Sequence, residues 1–186
     1  LLRSKGKPAR EYLDSRGISE EHIRNLGLGF YDSATLIREY ANGLGITNET
    51  LESQALTWSK LEGFIIFPWT DEYGRIVTLY GRWKDKQPPQ GTSKTLALPG
   101  QGTKASPLYF DRARLAGGDV VVVEGLIDAA LLQALGDRRV VAPAGGVLNT
   151  EQLETLKRHR VRRVFLCGDP DEAGDAGTKA NVVNLE

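Results

Sequence analysis

Hydrophobic and polar positions follow two rhythms along this chain, and the change falls at Gly117-Gly118. In the first third, apolar residues recur at helical spacing. "KPAREYLDSRGIS" (7–19) places a proline at a helix start and Gly17 behind Arg16 as a stop. "SEEHIRNLG" (19–27) repeats the plan, with Ser19 as cap, two acids in the first turn and Gly27 at the end. "SATLIREYANGLG" (33–45) predicts a third helix. "GFIIFPWTDEYGRIVTLYGRW" (63–83) then sets two apolar, β-branched and aromatic runs around "TDEYGR", which predicts a hairpin. Pro68 predicts that the first run is an edge strand or ends early. Residues 85–107 are rich in Gly, Pro, Lys, Ser and Thr without periodicity. They predict a long loop, of a kind that often carries function.

After Gly118 the pattern alternates. "DVVVVEG" (119–125) is an unbroken apolar run, which suits a strand covered on both faces of a parallel sheet. "LIDAALLQALGD" predicts a helix stopped by Gly136, and "RRVVAPAGG" a strand and loop. "TEQLETLKRHR" predicts a helix capped by Thr150 through the backbone N–H of Gln152 or Leu153. "VRRVFLCG" reads as a third strand and "AGDAGTKANVVNLE" as a further helix. Strand and helix in alternation with short links predict an α/β fold with a parallel sheet and flanking helices, preceded by a smaller α+β, basic subdomain. The division expected is 1–117 and 118–186.

Composition narrows the class without choosing a function. The 186 residues are 40% hydrophobic and 26% charged with zero net charge, which excludes a disordered chain. No apolar run approaches the roughly 18 residues of a membrane span, and "LLRSKGKPAR" does not read as a signal peptide, since no long apolar stretch follows its basic residues. Cys167 is the single cysteine, so intrachain disulfides and multi-cysteine zinc sites are excluded. A cytoplasmic setting is expected. The zero balance conceals an asymmetry. Residues 1–118 hold 16 Lys/Arg against 13 Asp/Glu, and residues 119–186 hold 8 against 11. Within 75–104, Arg75, Arg82, Lys84, Lys86, Lys94 and Lys104 face only Asp85. A basic stretch beside an acidic one suits a partner carrying phosphates, with metal ions between, although a solvated face is the commoner meaning of a charge cluster.

The acids of the second half stand where such sheets keep their sites. Ligands bind outside the carboxyl ends of parallel strands. Glu124 ends "VVVV", Asp128 lies four residues on, and Asp169 and Asp171 follow the third strand. In extended backbone, Asp169 and Asp171 would point to one side. Taken alone, "DPDEAGD" has a plainer explanation: a turn, then a first helical turn whose acids each stabilise the macrodipole by about 0.3–1 kcal/mol. Glu124 tips the balance, because a glutamate at the edge of a valine run needs a reason. Clustered carboxylates without a counter-charge would lose their own charge. An all-oxygen set with no His or Cys suits Mg²⁺ or Mn²⁺ rather than zinc. Neither a P-loop nor a strand-linked GxGxxG occurs, so ATPase and dehydrogenase readings lose support.

Together, "VVVVEGLID" and "LCGDPDEAGDAG" resemble the toprim domain, shared by bacterial primases, type IA and II topoisomerases and some nucleases. That family carries a glutamate after its first strand and a DxD after its third, and binds Mg²⁺. The resemblance implies Glu124, Asp169 and Asp171 as metal ligands, Asp128 as a further catalytic acid and Asp175 in support. The first half is similar to DnaG-type primases. "AREYLDSRGISEEHIRNLGLGF" looks like the start of their RNA polymerase core, "GFIIFPWTDEYGRIVTLYGR" like a later segment of it, and "SPLYFDRAR" like the helix just before toprim. By that resemblance Arg82, Lys84 and Lys94 hold template or nucleotide, although "SKTLALPGQ" keeps the family's lysine and little else around it.

The implied activity is metal-dependent synthesis of short RNA primers on single-stranded DNA from ribonucleoside triphosphates, a nucleotidyltransferase reaction. A replicative helicase would be met through regions absent here. The toprim domain is expected to be truncated, with further metal-binding acids beyond residue 186. The competing readings are a nucleic-acid-binding toprim module without its own catalysis, and a toprim nuclease. A topoisomerase would need a nucleophilic tyrosine, and none of the six tyrosines has a supporting context. Of Trp58, Trp69 and Trp83, the last, beside Arg82, is best placed to stack on a base, though packing is the plainer role. Cys167 is expected in the core.

Overall fold

A computed structural model describes residues 4–71, 73–85, 87–100, 108–109, 115, 117–143 and 146–185. Lys86, Lys104 and most of "SPLYFDRAR" lie outside these residues. The chain divides into two compact units, residues 1–68 with 78–102, and residues 69–77 with 103–186.

The first unit opens with the three expected helices, followed by a short fourth that was not expected. α1 (Lys7–Ser15) has proline in its first turn, and Gly17 follows at φ 80°, a conformation glycine adopts freely. α2 (Glu20–Asn25) is held by a reciprocal cap. The Ser19 hydroxyl accepts from His22 N–H at 3.2 Å, and His22 Nδ1 accepts from Ser19 N–H at 3.4 Å. α3 (Ala34–Gly43) is capped by Ser33, and α4 (Asn48–Ser53) by Thr47. Four strands form one sheet in the order β1 (Gly29–Phe30), β2 (Ile65–Thr70), β3 (Ile76–Arg82) and β4 (Thr95–Ala97). Leu61, Phe64, Ile66, Tyr31 and Leu98 make its buried cluster.

Two expectations are corrected here. β2 is an inner strand and continues through Pro68 to Thr70. The proline is tolerated because β1 is two residues long and its pairing stops at Ile66, so on that side β2 is locally an edge. The stretch expected to be loop contains β4. It pairs with the end of β3 through Tyr80 opposite Ala97 and Arg82 opposite Thr95, a long-range ladder that local composition does not reveal.

The second unit has the expected α/β plan. β6 (Asp119–Val123) pairs in parallel with β7 (Val140–Pro143) on one side and β8 (Arg163–Cys167) on the other. The sheet order is β5-β7-β6-β8, and β5 (Leu108–Tyr109) runs antiparallel to β7 at the edge. α5 (Leu126–Ala134) links β6 to β7, α6 (Thr150–Arg158) links β7 to β8, and α7 (Glu172–Leu185) follows. Val120, Val122, Val141, Leu148 and Leu156 form the core beneath. Val120, Val122 and Val123 are buried and Val121 is half-buried, as the unbroken apolar run of an inner parallel strand predicts.

Two details differ from the reading of the sequence. Asn149, not Thr150, caps α6. Its Oδ1 accepts from Gln152 N–H at 2.9 Å while Gln152 Oε1 accepts from Asn149 N–H at 2.8 Å. The polar residue one position earlier has the extended φ/ψ that a cap requires. Cys167 is exposed rather than buried, because β8 is the outermost strand and its last residue opens toward the surface.

Candidate active site

β6 and β8 are adjacent and parallel, with Val123 opposite Cys167, so the residues that follow each strand emerge side by side. Glu124 follows β6 and is half-buried. Its Oε2 accepts a hydrogen bond from the backbone N–H of Asp169 at 3.2 Å. Forty-five residues of sequence thus close into one contact at the carboxyl edge of the sheet.

The segment 169–171 is not extended, as the reading of "DxD" assumed. Asp171 N–H donates to the Asp169 carbonyl at 2.8 Å, folding the chain around Pro170. Asp171 Oδ1 then accepts from Gly174 N–H at 2.8 Å, and Asp175 N–H donates to the Asp171 carbonyl at 2.9 Å. Asp171 is therefore the N-terminal cap of α7, and both aspartates are exposed. The plainer reading, an acidic helix start, describes how these residues are placed. Glu172 and Asp175 lie exposed in the first turn of α7. Among the described residues, no group of three or more His, Cys, Asp or Glu side chains stands ready to hold a metal ion.

Asp128 lies in the first turn of α5 and is exposed. Its carboxylate occupies the space where a Cβ on Gly125 would stand. A side chain at position 125 would require the Asp128 carboxylate to swing aside. Two further glycines shape the site, and nothing in their local sequence announces it. A methyl on Gly174 would run into the Asp169 backbone. One on Gly168 would meet Thr178 Oγ1 at 2.7 Å and the Gly174 carbonyl at 3.0 Å. The end of β8 and the start of α7 are pressed together at distances only glycine permits, and this contact fixes Asp169.

A cavity of about 160 Å³ adjoins, walled by Glu124, Gly146, Cys167, Gly174, Thr178 and Asn181. Asn181 is buried and ties α7 to the loop after β7. Its Oδ1 accepts from Leu148 N–H at 2.7 Å, and its Nδ2 donates to the Gly146 carbonyl at 3.3 Å. A lone asparagine in a helix gives no sign of this role in sequence.

In the first unit, Arg82, Lys84 and Lys94 gather where β3 ends and β4 begins. Trp83 N–H donates to the Lys94 carbonyl at 2.8 Å. Lys84 pairs with Asp85 and lies over the Trp83 ring, 5.5 Å from its centroid. Trp83 itself packs on Phe64 at 5.1 Å, so its role is packing first. Among the described residues, Arg82 Nε is buried without a hydrogen-bond partner. Trp69 is buried in the core.

Residues 1–94 match the family "DNA primase catalytic core, N-terminal domain", and residues 118–182 match the toprim domain. The chain belongs to the DNA primase family. The DNA primase of Thermotoga maritima is 32% identical over 195 residues, covering 97% of this chain and 34% of that protein. This primase chain therefore spans about a third of the length of such relatives. The RNA polymerase domain of the Mycobacterium tuberculosis primase superposes with a TM-score of 0.79 at 25% identity, covering 96% of this chain and 64% of that one. The same domain in complex with double-stranded DNA gives 0.78 at 26% identity, covering 95% and 61%. The α/β toprim-type sheet and the α+β part of the chain before it are thus those of the primase core. No helix among the described residues is long and apolar enough to cross a membrane.

Proposed function

We propose that this chain is the template- and metal-handling part of a primase core. In this reading residues 1–117 bind single-stranded template and ribonucleotide, and residues 118–186 form the catalytic toprim domain. The single observation that carries it is the Glu124–Asp169 contact, which joins two distant acidic motifs at the carboxyl edge of a parallel sheet. The reaction is attack of a primer 3′-hydroxyl on the α-phosphate of a ribonucleoside triphosphate, with pyrophosphate leaving. No covalent intermediate with the protein is needed.

The donor set is all carboxylate oxygen, which fits Mg²⁺ or Mn²⁺. Glu124, Asp169 and Asp171 would hold the cation, with Asp128 and Asp175 nearby. Such a cation supplies charge that acidifies the attacking hydroxyl and stabilises the leaving pyrophosphate. Glu124 also orients the Asp169 backbone, and Gly168 and Gly174 hold that segment in place. Arg82 brings a buried N–H that a phosphate oxygen would satisfy, and Lys84 and Lys94 would add positive charge. DNA in complex with a related polymerase domain supports the template role. A helicase would be reached through other parts of a longer protein.

The absence of a ready-made cluster among the described acids favours a second reading, a DNA-binding toprim module without its own catalysis. One comparison separates them. The chain is incubated with single-stranded DNA, labelled ribonucleotides and Mg²⁺ or Mn²⁺, beside Asp169→Ala, with Mn²⁺ binding read by electron paramagnetic resonance. Primer synthesis and Mn²⁺ binding lost together in Asp169→Ala support the enzyme. Template binding with neither supports the module. Cleavage of labelled DNA without ribonucleotides indicates a nuclease.

A further inference from the structure

Gly174, Gly177, Thr178 and Asn181 fall at positions i, i+3, i+4 and i+7 of α7, so they share one helix face. All four wall the cavity of about 160 Å³ that Glu124 also borders. The two glycines send no side chain across it. A Cβ built on Gly177 would find no atom within 4 Å, so that part of the wall is open. A side chain that borders a void lacks partner atoms on that side. Glu124 therefore takes its position from its other neighbours.

One of those neighbours is the segment that leads from β7 to α6. Gly146 takes φ 79°, and the position of a Cβ on it lies 4.0 Å from Glu124 Cγ. The backbone at Gly146 thus passes beside the Glu124 stem. Asn181 holds that backbone. Its Nδ2 donates to the Gly146 carbonyl at 3.3 Å, and its Oδ1 accepts from Leu148 N–H at 2.7 Å. Both functions of one amide are used, on two residues of the same segment. The side chain is only 5% exposed. Asparagine is a poor residue for a helix interior, and a buried amide costs stability unless it is bonded. Alanine or leucine would serve α7 itself better. What the amide adds is a fixed separation between α7 and the segment beside Glu124.

We propose that Asn181 is a positioning residue for Glu124. It keeps the Gly146 backbone beside the Glu124 stem, and so keeps Glu124 Oε2 on the backbone N–H of Asp169, 3.2 Å away. The consequence for cation binding rests on the reading of Glu124 and Asp169 as ligands given above, whereas the Glu124–Asp169 contact does not. Outer partners that orient metal ligands typically change affinity by roughly 10–100-fold when they are removed.

The test follows hydrogen exchange of the Asp169 amide by NMR on the 186-residue chain, then titrates MnCl₂ by electron paramagnetic resonance. The variants are Asn181→Leu, close in size, and Asn181→Ala, in which the helix propensity of alanine offsets part of the lost stability. Should Asn181→Leu fail to fold, Asn181→Ala carries the measurement. The control is Asn149→Ala, which removes the α6 cap in the same unit and neither of the Asn181 bonds. An exposed amide such as that of Asp169 exchanges through local opening, so lost overall stability by itself leaves its rate nearly unchanged. Exchange at Asp169 is expected to be about tenfold faster in both Asn181 variants, and Mn²⁺ affinity about tenfold lower, with neither altered in Asn149→Ala. Unchanged exchange at Asp169 in folded Asn181→Ala overturns the proposal. So does an equal change in Asn149→Ala, which would reduce Asn181 to a contribution to stability. If the wild-type chain binds no Mn²⁺, the ligand reading fails, and the Asp169 amide still decides whether Asn181 positions Glu124.

Discussion

Gly174 and Asp71 show how much of this molecule turns on single side chains, or on their absence. Gly174→Ala places a methyl against the Asp169 backbone, a clash between two rigid parts. Overpacking of this kind costs about 1–3 kcal/mol. The expected result is a lower melting temperature together with lost Mn²⁺ binding. Gly177→Ala, on the same helix with nothing within 4 Å of its Cβ position, should instead raise stability by roughly 0.5–1 kcal/mol. Thermal unfolding of the pair separates a contact effect from a helix-propensity effect. Asp71 makes the turn between β2 and β3. Its Oδ1 accepts from Tyr73 and Arg75 N–H at 2.9 Å, and its Oδ2 from Arg75 Nε at 2.7 Å. Desolvation opposes its charge, but these donors and the Arg75 guanidinium outweigh it and hold its carboxyl below the ordinary 3.8. A depressed folded pKa contributes stability above the unfolded value, and that stability is lost as pH falls through the folded one. Wild type should therefore exceed Asp71→Asn in melting temperature near neutral pH, with the gap narrowing below about pH 3.8. A gap that stays constant into acid would exclude this role.

At the scale of elements, most helices and strands were legible because their signals are local. Proline starts, serine caps and glycine stops bracket α1, α2 and α3, and the valine run marks β6. Two of the differences share one physical cause, which is pairing decided at a distance. β4 exists because β3 lies beside it, and Pro68 is harmless because β1 is short. The cap of α6 moved from Thr150 to Asn149, since the cap is defined by backbone conformation as well as residue type. This correction is testable. Asn149→Ala should cost about 1 kcal/mol (range 0.5–2), and Thr150→Ala should be nearly neutral, as read by urea denaturation. The reverse order would restore Thr150 as the cap. Asn181 holds α7 to the loop after β7 with two hydrogen bonds, one of them buried. Asn181→Leu should leave the Leu148 N–H without its acceptor and cost about 1–3 kcal/mol by the same assay.

For the whole molecule, the proposed function would make the asymmetry of charge between the halves a division of labour. If the first unit handles template through phosphates, Arg82→Ala and Lys84→Ala should each lower the slope of log affinity against log salt by about 0.7 for single-stranded DNA. Asp169→Asn should leave that slope unchanged while abolishing synthesis. Loss of DNA binding in Asp169→Asn would refute the division. By itself, the sequence determined the class of the fold and the family, and it supplied the acids proposed for the site. Each of these rests on local patterns: strand period, helix caps, and motifs within a few residues of strand ends. Only the tertiary structure decided how those acids are held. Glu124 meets Asp169 because β6 and β8 pair in register, a contact across 45 positions that no local pattern encodes. Asp171 caps a helix, Asp128 folds over Gly125, and Gly168 and Gly174 let strand and helix touch. Close packing is a property of atoms that meet in space, and residues far apart in the chain meet only once it has folded.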